Sequence, residues 1–401
     1  MVVFNRRCAC LLTVVVAVKV ALSICSVWSP GFIYLINTFF ALKDRVHPVP
    51  YVWLAEAGYW VWLHTSLPRV DLASWYIGGK TFPWSFSSSA LIFLWKLPVL
   101  ASSLLVGGLV HTRFKGRDCL PVFAWLLNPL VVLGGEMAGN YDMIVAAFVF
   151  MSVLFLSERR YSAAIGLFAV SIALKFYPLI LLPVYLLWGK SNRRRWFILG
   201  LAALSGAASY IYWASYYARD FMASFMLPSG NPFVFHPSEV LLTPYDSRIG
   251  LAVAFSLLYA FILHLQGFED VLKASLGVIL LYTAFSDLNP TYLLCVLPLM
   301  TVDSMSGGRA RLYAAYTALA STLQFFTLPL TYRGSFLFVK ASWLKMFSEG
   351  LTALSKEALR GGGLSLVLAP ALTAMFIALS LVYVMEMHGL QLRRMRNAAT
   401  P

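Results

Sequence analysis

The chain is patterned as long apolar runs separated by short polar, basic or Pro/Gly breaks. Taken between their bounding breaks, the runs lie near 8 to 28, 87 to 112, 120 to 134, 141 to 157, 161 to 174, 176 to 189, 196 to 214, 249 to 266, 274 to 286, 290 to 303, 312 to 329 and 364 to 386. Crossing a bilayer upright takes about 20 apolar residues. Runs such as 120 to 134 and 161 to 174 fall short of that and are expected to be buried or broken helices rather than lipid-facing rods. Composition agrees with the pattern: of 401 residues, 60% are hydrophobic and 12% charged, where a soluble domain carries roughly 25% charged residues. A water-soluble protein is excluded. The expected fold is all-α, one integral membrane domain over 1–401 with about 10 to 12 transmembrane helices. Its first span follows Arg6 and Arg7 as a signal peptide would, but no small-residue cleavage site ends it, so it is expected to be retained.

Charge gives this domain a direction. The formal net charge is +14, which in a membrane protein is sorted by side before any partner is inferred, and it does not point to nucleic acid. With the N-terminus in the cytoplasm, the short loops carrying Arg113, Lys115 and Arg117, Arg159 and Arg160, Lys190 with Arg193 to Arg195, Lys273, and Arg309 with Arg311 face the cytoplasm, as does a tail with Arg393, Arg394 and Arg396. Anionic membrane lipids are the first partners such loops imply. Most acidic residues sort to the other side, together with three long loops, 29–86, 215–248 and 330–363. Chemistry is therefore expected to be extracytoplasmic, at a plasma membrane or the endoplasmic reticulum. The first loop is rich in Trp and Tyr, as interfacial helices are, and 330–360 interleaves Phe336, Phe338, Trp343 and Phe347 with Lys340, Lys345 and Lys356, as in an amphipathic surface helix. The five cysteines lie in or beside apolar runs with neither metal-ligand spacing nor a disulfide framework.

The densest polar signal runs from Asn128-Pro129 through Gly134-Gly135-Glu136 to Gly139-Asn140-Tyr141-Asp142. Two carboxylates and an amide share one outer helix junction with glycines that permit tight turning. Asn140 and Asp142 serve there either as helix-start residues or as ligand groups. Lys175, in Lys175-Phe176-Tyr177-Pro178, is a lysine in an apolar segment, a placement costing roughly 2.5 to 3.5 kcal/mol at the bilayer centre. Pro178 disfavours helix just before it. The ammonium is thus expected at the outer boundary, snorkelling, meeting a lipid phosphate, or paired with a carboxylate such as Asp142. Lys96, before Pro98, is a second intramembrane cation, held by a headgroup or a neighbouring carbonyl, with a kink or break expected at the proline. Asp287 and Tyr292 crowd an outer hairpin that they either cap or equip. The loop 215–248 offers His236 and Arg248, cations that could meet a phosphate. No carboxylate pair is spaced to hold a divalent ion, so no metal or other cofactor is expected.

Asn128-Pro129, Gly139-Asn140-Tyr141-Asp142, Lys175-Phe176-Tyr177-Pro178 and Pro290-Thr291-Tyr292-Leu293-Leu294 up to Leu297-Pro298, with Lys96-Leu97-Pro98 ahead of them, resemble in order and spacing the GT-C glycosyltransferases. The pattern is most similar to the GPI mannosyltransferase I catalytic subunits and their prokaryotic relatives, and covers about residues 90 to 300. The resemblance implies transfer of a hexose, usually mannose, from a polyprenyl-phosphate donor to a lipid-linked or protein acceptor, with room for a small accessory membrane subunit. It implies that Asp142 and Asn140 line the sugar or acceptor site and that Lys175 meets phosphate or orients Asp142; Glu136, Tyr177, Asp287 and Tyr292 are expected as further substrate contacts, and His236 and Arg248, on their loop chemistry, as phosphate contacts. Such families carry an acidic base just after the first span. Here those positions hold Gly31 and Ile33, and Ser102-Ser103 stand where the second-span pattern often reaches an aspartate. Asp44 and Asp71 become the alternative bases beside Asp142. A catalytically degenerate lipid-phosphate-binding relative and a transporter or flippase are the rival readings.

Overall fold

The computed structural model describes residues 6–27, 49–70, 85–114, 119–175, 177–188, 191–217, 256–257, 259–260, 270–285, 293–331, 338–339, 371–372, 374–387 and 389. At their centre stands the helix Asp142–Ser157, apolar on every side, with Met143, Val145, Ala146, Phe150 and Val153 all at or near zero exposure. A helix hydrophobic all round has to be wrapped by others, and this one is. Taken in chain order, α1 is Arg6–Cys25, α2 Val49–Leu63, α3 Phe86–Arg113, α4 Leu120–Leu126, α5 the central Asp142–Ser157, α6 Tyr161–Leu174, α7 Leu182–Trp188, α8 Asn192–Tyr217, α9 Val271–Phe285, α10 Leu293–Gly307, α11 Ala310–Thr331 and α12 Ala374–Met387. Helices α3, α6, α9 and α10 pack around α5, α8 lies along α6, and α1 and α2 lean on α3. The protein is an all-α membrane protein. Among the described residues α1 and α3 are long and apolar enough to cross a bilayer, and a third span results if the bent pair α4 and Leu130–Met137 is counted as one.

Several expected runs appear with nearly the expected ends, among them 161 to 174 as α6 and 141 to 157 as α5. The run 120 to 134 breaks at Asn128-Pro129 and bends by 49°, because Pro129 has no N–H to continue the ladder and Asn128 Oδ1 takes the Leu130 N–H instead, at 3.0 Å. Beyond the bend, Leu130–Met137 is wound as a π-helix.

Three expectations need correction. Pro98 neither breaks nor ends its helix: α3 runs unbroken from Phe86 to Arg113. The Leu94 carbonyl, which a proline four residues later cannot bond, faces α2 at Gly58, where an added Cβ would lie only 3.1 Å away. The glycine makes room for the carbonyl that Pro98 leaves over. Second, within the segment expected to be an amphipathic helix, Phe338–Val339 is a short strand, antiparallel to Ser26–Val27, with Ser26 opposite Val339; a two-residue strand made across the chain is invisible to helical periodicity. Third, Cys8 and Cys119, 111 residues apart, form a disulfide that ties the start of α1 to the start of α4; at that separation no local spacing announces a pair. The remainder of 29–86, 215–248 and 330–363 lies outside the described residues apart from α2 and the positions given above.

Candidate active site

The polar groups singled out between 128 and 142 are arranged by one turn. From the π-helical segment the chain passes through Gly139 at φ +69°, a left-handed conformation that L side chains adopt at a cost of about 1 to 2 kcal/mol. A Cβ there would also stand 2.9 Å from the Trp95 ring and 3.2 Å from Lys96 Cε, so glycine is required for both backbone and space. Asn140 then closes the turn: its N–H donates to Gly135 O at 2.8 Å and its Oδ1 accepts from the Asp142 N–H at 2.9 Å. The helix-start reading of Asn140 is what the structure contains. Asp142 opens α5, but its carboxylate is engaged elsewhere.

Helix α6 ends at Leu174, whose carbonyl a proline four residues on cannot bond, and Lys175 is extended (φ −159°, ψ 139°); Tyr177, directly before Pro178 and expected to leave helical geometry, instead opens a 3-10 turn, Tyr177–Leu181. Its Nζ lies 2.7 Å from Asp142 Oδ1. The ammonium also sits 5.0 Å from the centre of the Tyr141 ring and 5.6 Å from that of Tyr177, within cation–π range. Burial is uneven: the Asp142 side chain is 1% exposed and that of Lys175 16%. The pair is thus anchored on its anionic side and open on its cationic side. Tyr177 places its hydroxyl 2.6 Å from Cys295 Sγ and stacks on Tyr282, which brings α9 and α10 to the same spot. Neither Cys295 nor Tyr282 is singled out by motif reasoning; Cys295 directly follows the Pro290 to Leu294 motif, and Tyr282 carries no sequence signal beyond being a polar-tipped residue in an apolar run.

A second buried ion pair flanks the turn on its other side. Glu136 Oε1 is 2.5 Å from Lys19 Nζ, both side chains at most 2% exposed, with Ser103 Oγ 3.4 Å from the same ammonium. Lys19, an unremarkable intramembrane lysine in the sequence, therefore belongs to the site's framework, and Ser103 stands beside it. Lys96 resolves to the carbonyl alternative: its Nζ donates to Ser23 O at 3.1 Å, Ser26 O at 2.5 Å and Met137 O at 2.5 Å. The first two acceptors lie at the C-terminal end of α1 and the third at the end of the π-helical segment, where unpaired carbonyls concentrate negative charge. Lys96 thus fastens two helix ends beneath the Gly139 turn.

The structure brings together Asn140, Asp142, Lys175 and Tyr177, while the Glu136 carboxylate turns to Lys19. Asp44, Asp71, His236, Arg248, Asp287 and Tyr292 lie outside the described residues. Among the described residues no three His, Cys, Asp or Glu side chains gather as they would around a metal ion.

Residues 136–226 match the mannosyltransferase (PIG-M) family. The resemblance is to GPI mannosyltransferases. The chain is 28% identical over 118 residues to GPI mannosyltransferase 1 of Eremothecium gossypii, which covers 28% of this chain and 30% of that protein. It is 27% identical over 127 residues to GPI mannosyltransferase 1 of Saccharomyces cerevisiae, covering 30% of each. The aligned stretch thus spans under a third of the curated relatives it matches. No solved structure matches the chain. The matched family region opens at Glu136 and contains Asn140, Asp142, Lys175 and Tyr177.

Proposed function

We propose that the chain is a GT-C-type mannosyltransferase that takes mannose from a polyprenyl-phosphate donor and passes it to a lipid-linked acceptor on the extracytoplasmic side of its membrane, both termini being cytoplasmic. The observation that carries the reading is the Asp142–Lys175 pair, a buried carboxylate against a partly exposed ammonium, inside the stretch that matches the mannosyltransferase family. Transfer of this kind needs an acceptor hydroxyl to attack the anomeric carbon, a carboxylate to draw its proton, and a cation to stabilise the departing phosphate without a metal. Lys175 supplies that cation. Asp142 orients it, and the Tyr141 and Tyr177 rings present apolar faces against which a sugar or isoprenoid phosphate can lie. Asn140 stands on the sugar side of the site, whereas Glu136, held by Lys19, supports the turn. The proton acceptor is Asp44 or Asp71 of the first outer loop, since the Asp142 carboxylate is committed to Lys175; Asp287, Tyr292, His236 and Arg248 of the later loops contact sugar and phosphate.

The same pair favours a second reading. A carboxylate locked to an ammonium is a poor base, and Gly31 and Ile33 occupy the positions where an acidic residue is expected. A relative that binds lipid phosphate through Lys175 without transferring sugar would look the same here. Membranes holding the protein, given a polyprenyl phosphate bearing labelled mannose, decide between them. Transfer to endogenous lipid that falls at least tenfold in Lys175→Ala, and also falls in Asp44→Asn or Asp71→Asn, supports the enzyme. Donor binding lost in Lys175→Ala with no transfer by the native chain supports the binding protein.

A further inference from the structure

The Cys8–Cys119 disulfide lies on the wrong side of the membrane for a permanent staple. It joins the first turn of α1 to the residue directly before α4. In the orientation that the basic loops support, Arg6 and Arg7, next to Cys8, and Arg117, two residues before Cys119, are cytoplasmic. Thiols in that compartment are kept reduced, and the disulfides that do form there are as a rule transient and redox-sensing. What the link holds is visible in α1. Between Cys8 and Lys19 no residue of that helix is buried; Leu12 and Val15 only lean on the core. Cys8 and Lys19 are the two points at which this stretch enters the protein, 5% and 1% exposed, and the two ends of one segment hold them. Cys119 precedes α4, which bends into Leu130–Met137, and Glu136 near the end of that segment takes Lys19 at 2.5 Å. Helix α1 and the bent pair thus form a ring, closed covalently at one end and by an ion pair at the other, about 16 Å apart along α1. Next to the ion-paired end stands the Gly139 turn, with Lys96 beneath it holding Ser23 O and Ser26 O at the end of α1.

We propose that Cys8 and Cys119 form a thiol–disulfide switch, worked from the cytoplasm by glutathione, that sets how firmly α1 holds the Gly139 turn and thereby regulates the Asp142–Lys175 site. The inference rests on the proposed orientation of the chain and, for its effect on ligand, on the proposed lipid-phosphate role of Lys175. Cys119 is the more exposed of the two, so its sulfur is the one attacked. The thiolate of one glutathione bonds to Cys119 Sγ, the Cys8–Cys119 bond breaks, and the Cys8 sulfur leaves as a thiolate that takes up a proton. A second glutathione thiolate attacks the glutathione sulfur of the mixed disulfide and releases Cys119, which is protonated in turn. The protein gains two electrons and two protons, and two glutathione thiols become one glutathione disulfide; oxidation is the same exchange reversed. Glutathione is anionic at neutral pH, and the basic sequence around both cysteines attracts it. With the link open, α1 is held below Ser23 by the Lys19–Glu136 pair and partly buried contacts, and the turn beside that pair is less firmly braced.

The full chain in sealed vesicles is equilibrated with mixtures of reduced and oxidised glutathione, which do not cross the bilayer. They are supplied at the face where trypsin cuts a parallel sample at Arg193 to Arg195. Free thiols are trapped with a polymer-bearing maleimide and the link is read by gel mobility. The turn is read by Trp95 fluorescence, taken as the difference between the native chain and Trp95→Phe, since the Trp95 ring lies against Gly139. The link should open as the mixture approaches the reducing ratio of a cytosol, and Trp95 emission should shift with the same midpoint. Binding of a polyprenyl phosphate should weaken about fivefold, the lower end of ordinary coupling between distant sites. Cys8→Ser and Cys119→Ser should each hold the reduced values at every ratio, while Cys10→Ser, which removes an exposed thiol of the same helix, should respond as the native chain does. A link that survives a cytosolic excess of reduced glutathione, or opens only from the opposite face, would overturn the switch. So would a link that opens without moving Trp95 emission, or that leaves a measured polyprenyl-phosphate affinity unchanged. A Trp95 shift with no polyprenyl phosphate bound in either state would support the switch and remove the lipid-phosphate role of Lys175 instead.

Discussion

Removing Lys175 should cost far more than removing both members of its pair. The Asp142 carboxylate is 1% exposed and 2.7 Å from the ammonium, so Lys175→Met leaves a buried charge with its counterion gone, a loss of about 3 to 5 kcal/mol. Asp142→Asn strands the cation instead. That cation keeps 16% exposure and two aromatic faces, each cation–π contact contributing about 0.5 to 2 kcal/mol, so the cost should be smaller, about 1 to 2 kcal/mol. The double variant Asp142→Asn/Lys175→Met leaves neither charge and should be close to the cheaper single change. The cycle therefore predicts a coupling of about 3 to 5 kcal/mol, well above the roughly 0.5 kcal/mol scatter of independent sites. Reversible unfolding of the purified protein in mixed detergent, read by tryptophan fluorescence, measures all four corners. If the two single costs simply add, the pair contributes nothing to stability, and the argument that Asp142 exists to hold Lys175 fails. Lys175→Arg adds a functional arm: retained stability with transfer lowered would place the ammonium at the reacting phosphate, because an arginine fills the charge but not the shape of the site.

Other substitutions test the frame around that pair. Gly139→Ala should destabilise by about 2 to 4 kcal/mol, the sum of a left-handed backbone and overpacking on the Trp95 ring, measured in the same unfolding assay; a change under 0.5 kcal/mol would mean that the turn is not as described. Lys96→Met leaves three buried carbonyls without their donor, about 1 kcal/mol or more each, so a loss of about 3 kcal/mol is expected, and thermal stability in detergent should fall with it. Lys19→Met should be more damaging than Lys19→Met/Glu136→Gln, by about 2 kcal/mol or more, since only the first leaves the Glu136 carboxylate buried and unpaired. Arg309→Ala should loosen α10 from α12: Asp303, bonded by Arg309 at 2.9 Å, also accepts from Tyr383 at 2.7 Å, and proteolysis between those helices should quicken.

Much of this was legible in the amino-acid order because apolar length and proline position act locally. Helices α5 and α6 begin and end close to the bounds of their apolar runs, and Lys175 follows the last residue of α6, whose carbonyl Pro178 four residues on cannot bond. The Asp142 partnership was among the alternatives the sequence left open, since Lys175 and Asp142 sort to the same side of the membrane. Pairings set by how helices cross could not be read in this way. Lys19 and Glu136 are 117 residues apart, and nothing in the α1 run says which carboxylate it meets. The continuity of α3 through Pro98 depends on Gly58 of α2, a neighbour chosen by tertiary packing. The pairing of Ser26–Val27 with Phe338–Val339 and the Cys8–Cys119 link join segments that carry no shared local pattern.

The three intramembrane lysines divide by the kind of partner each found, and the division says which of them can act. Lys96 is surrounded by backbone carbonyls, 1% exposed; exchanging those for a substrate would release the ends of two helices. Lys19 is sealed with Glu136 at 2% exposure or less, so its charge is neutralised and out of reach. Of the three, Lys175 combines a neutralising carboxylate with partial exposure, and a phosphate approaching it gains an attraction without the cost of desolvating a bare ammonium, since the protein has already paid it. Lys19 and Lys96 therefore build the turn, while Lys175 is the cation the turn presents. Exchanging the three for methionine one at a time should thus separate the roles: Lys19→Met and Lys96→Met should lose binding of a polyprenyl phosphate only in proportion to lost folded protein, whereas Lys175→Met/Asp142→Asn, folded, should lose it outright. Undiminished binding by that folded double variant would remove Lys175 from the site.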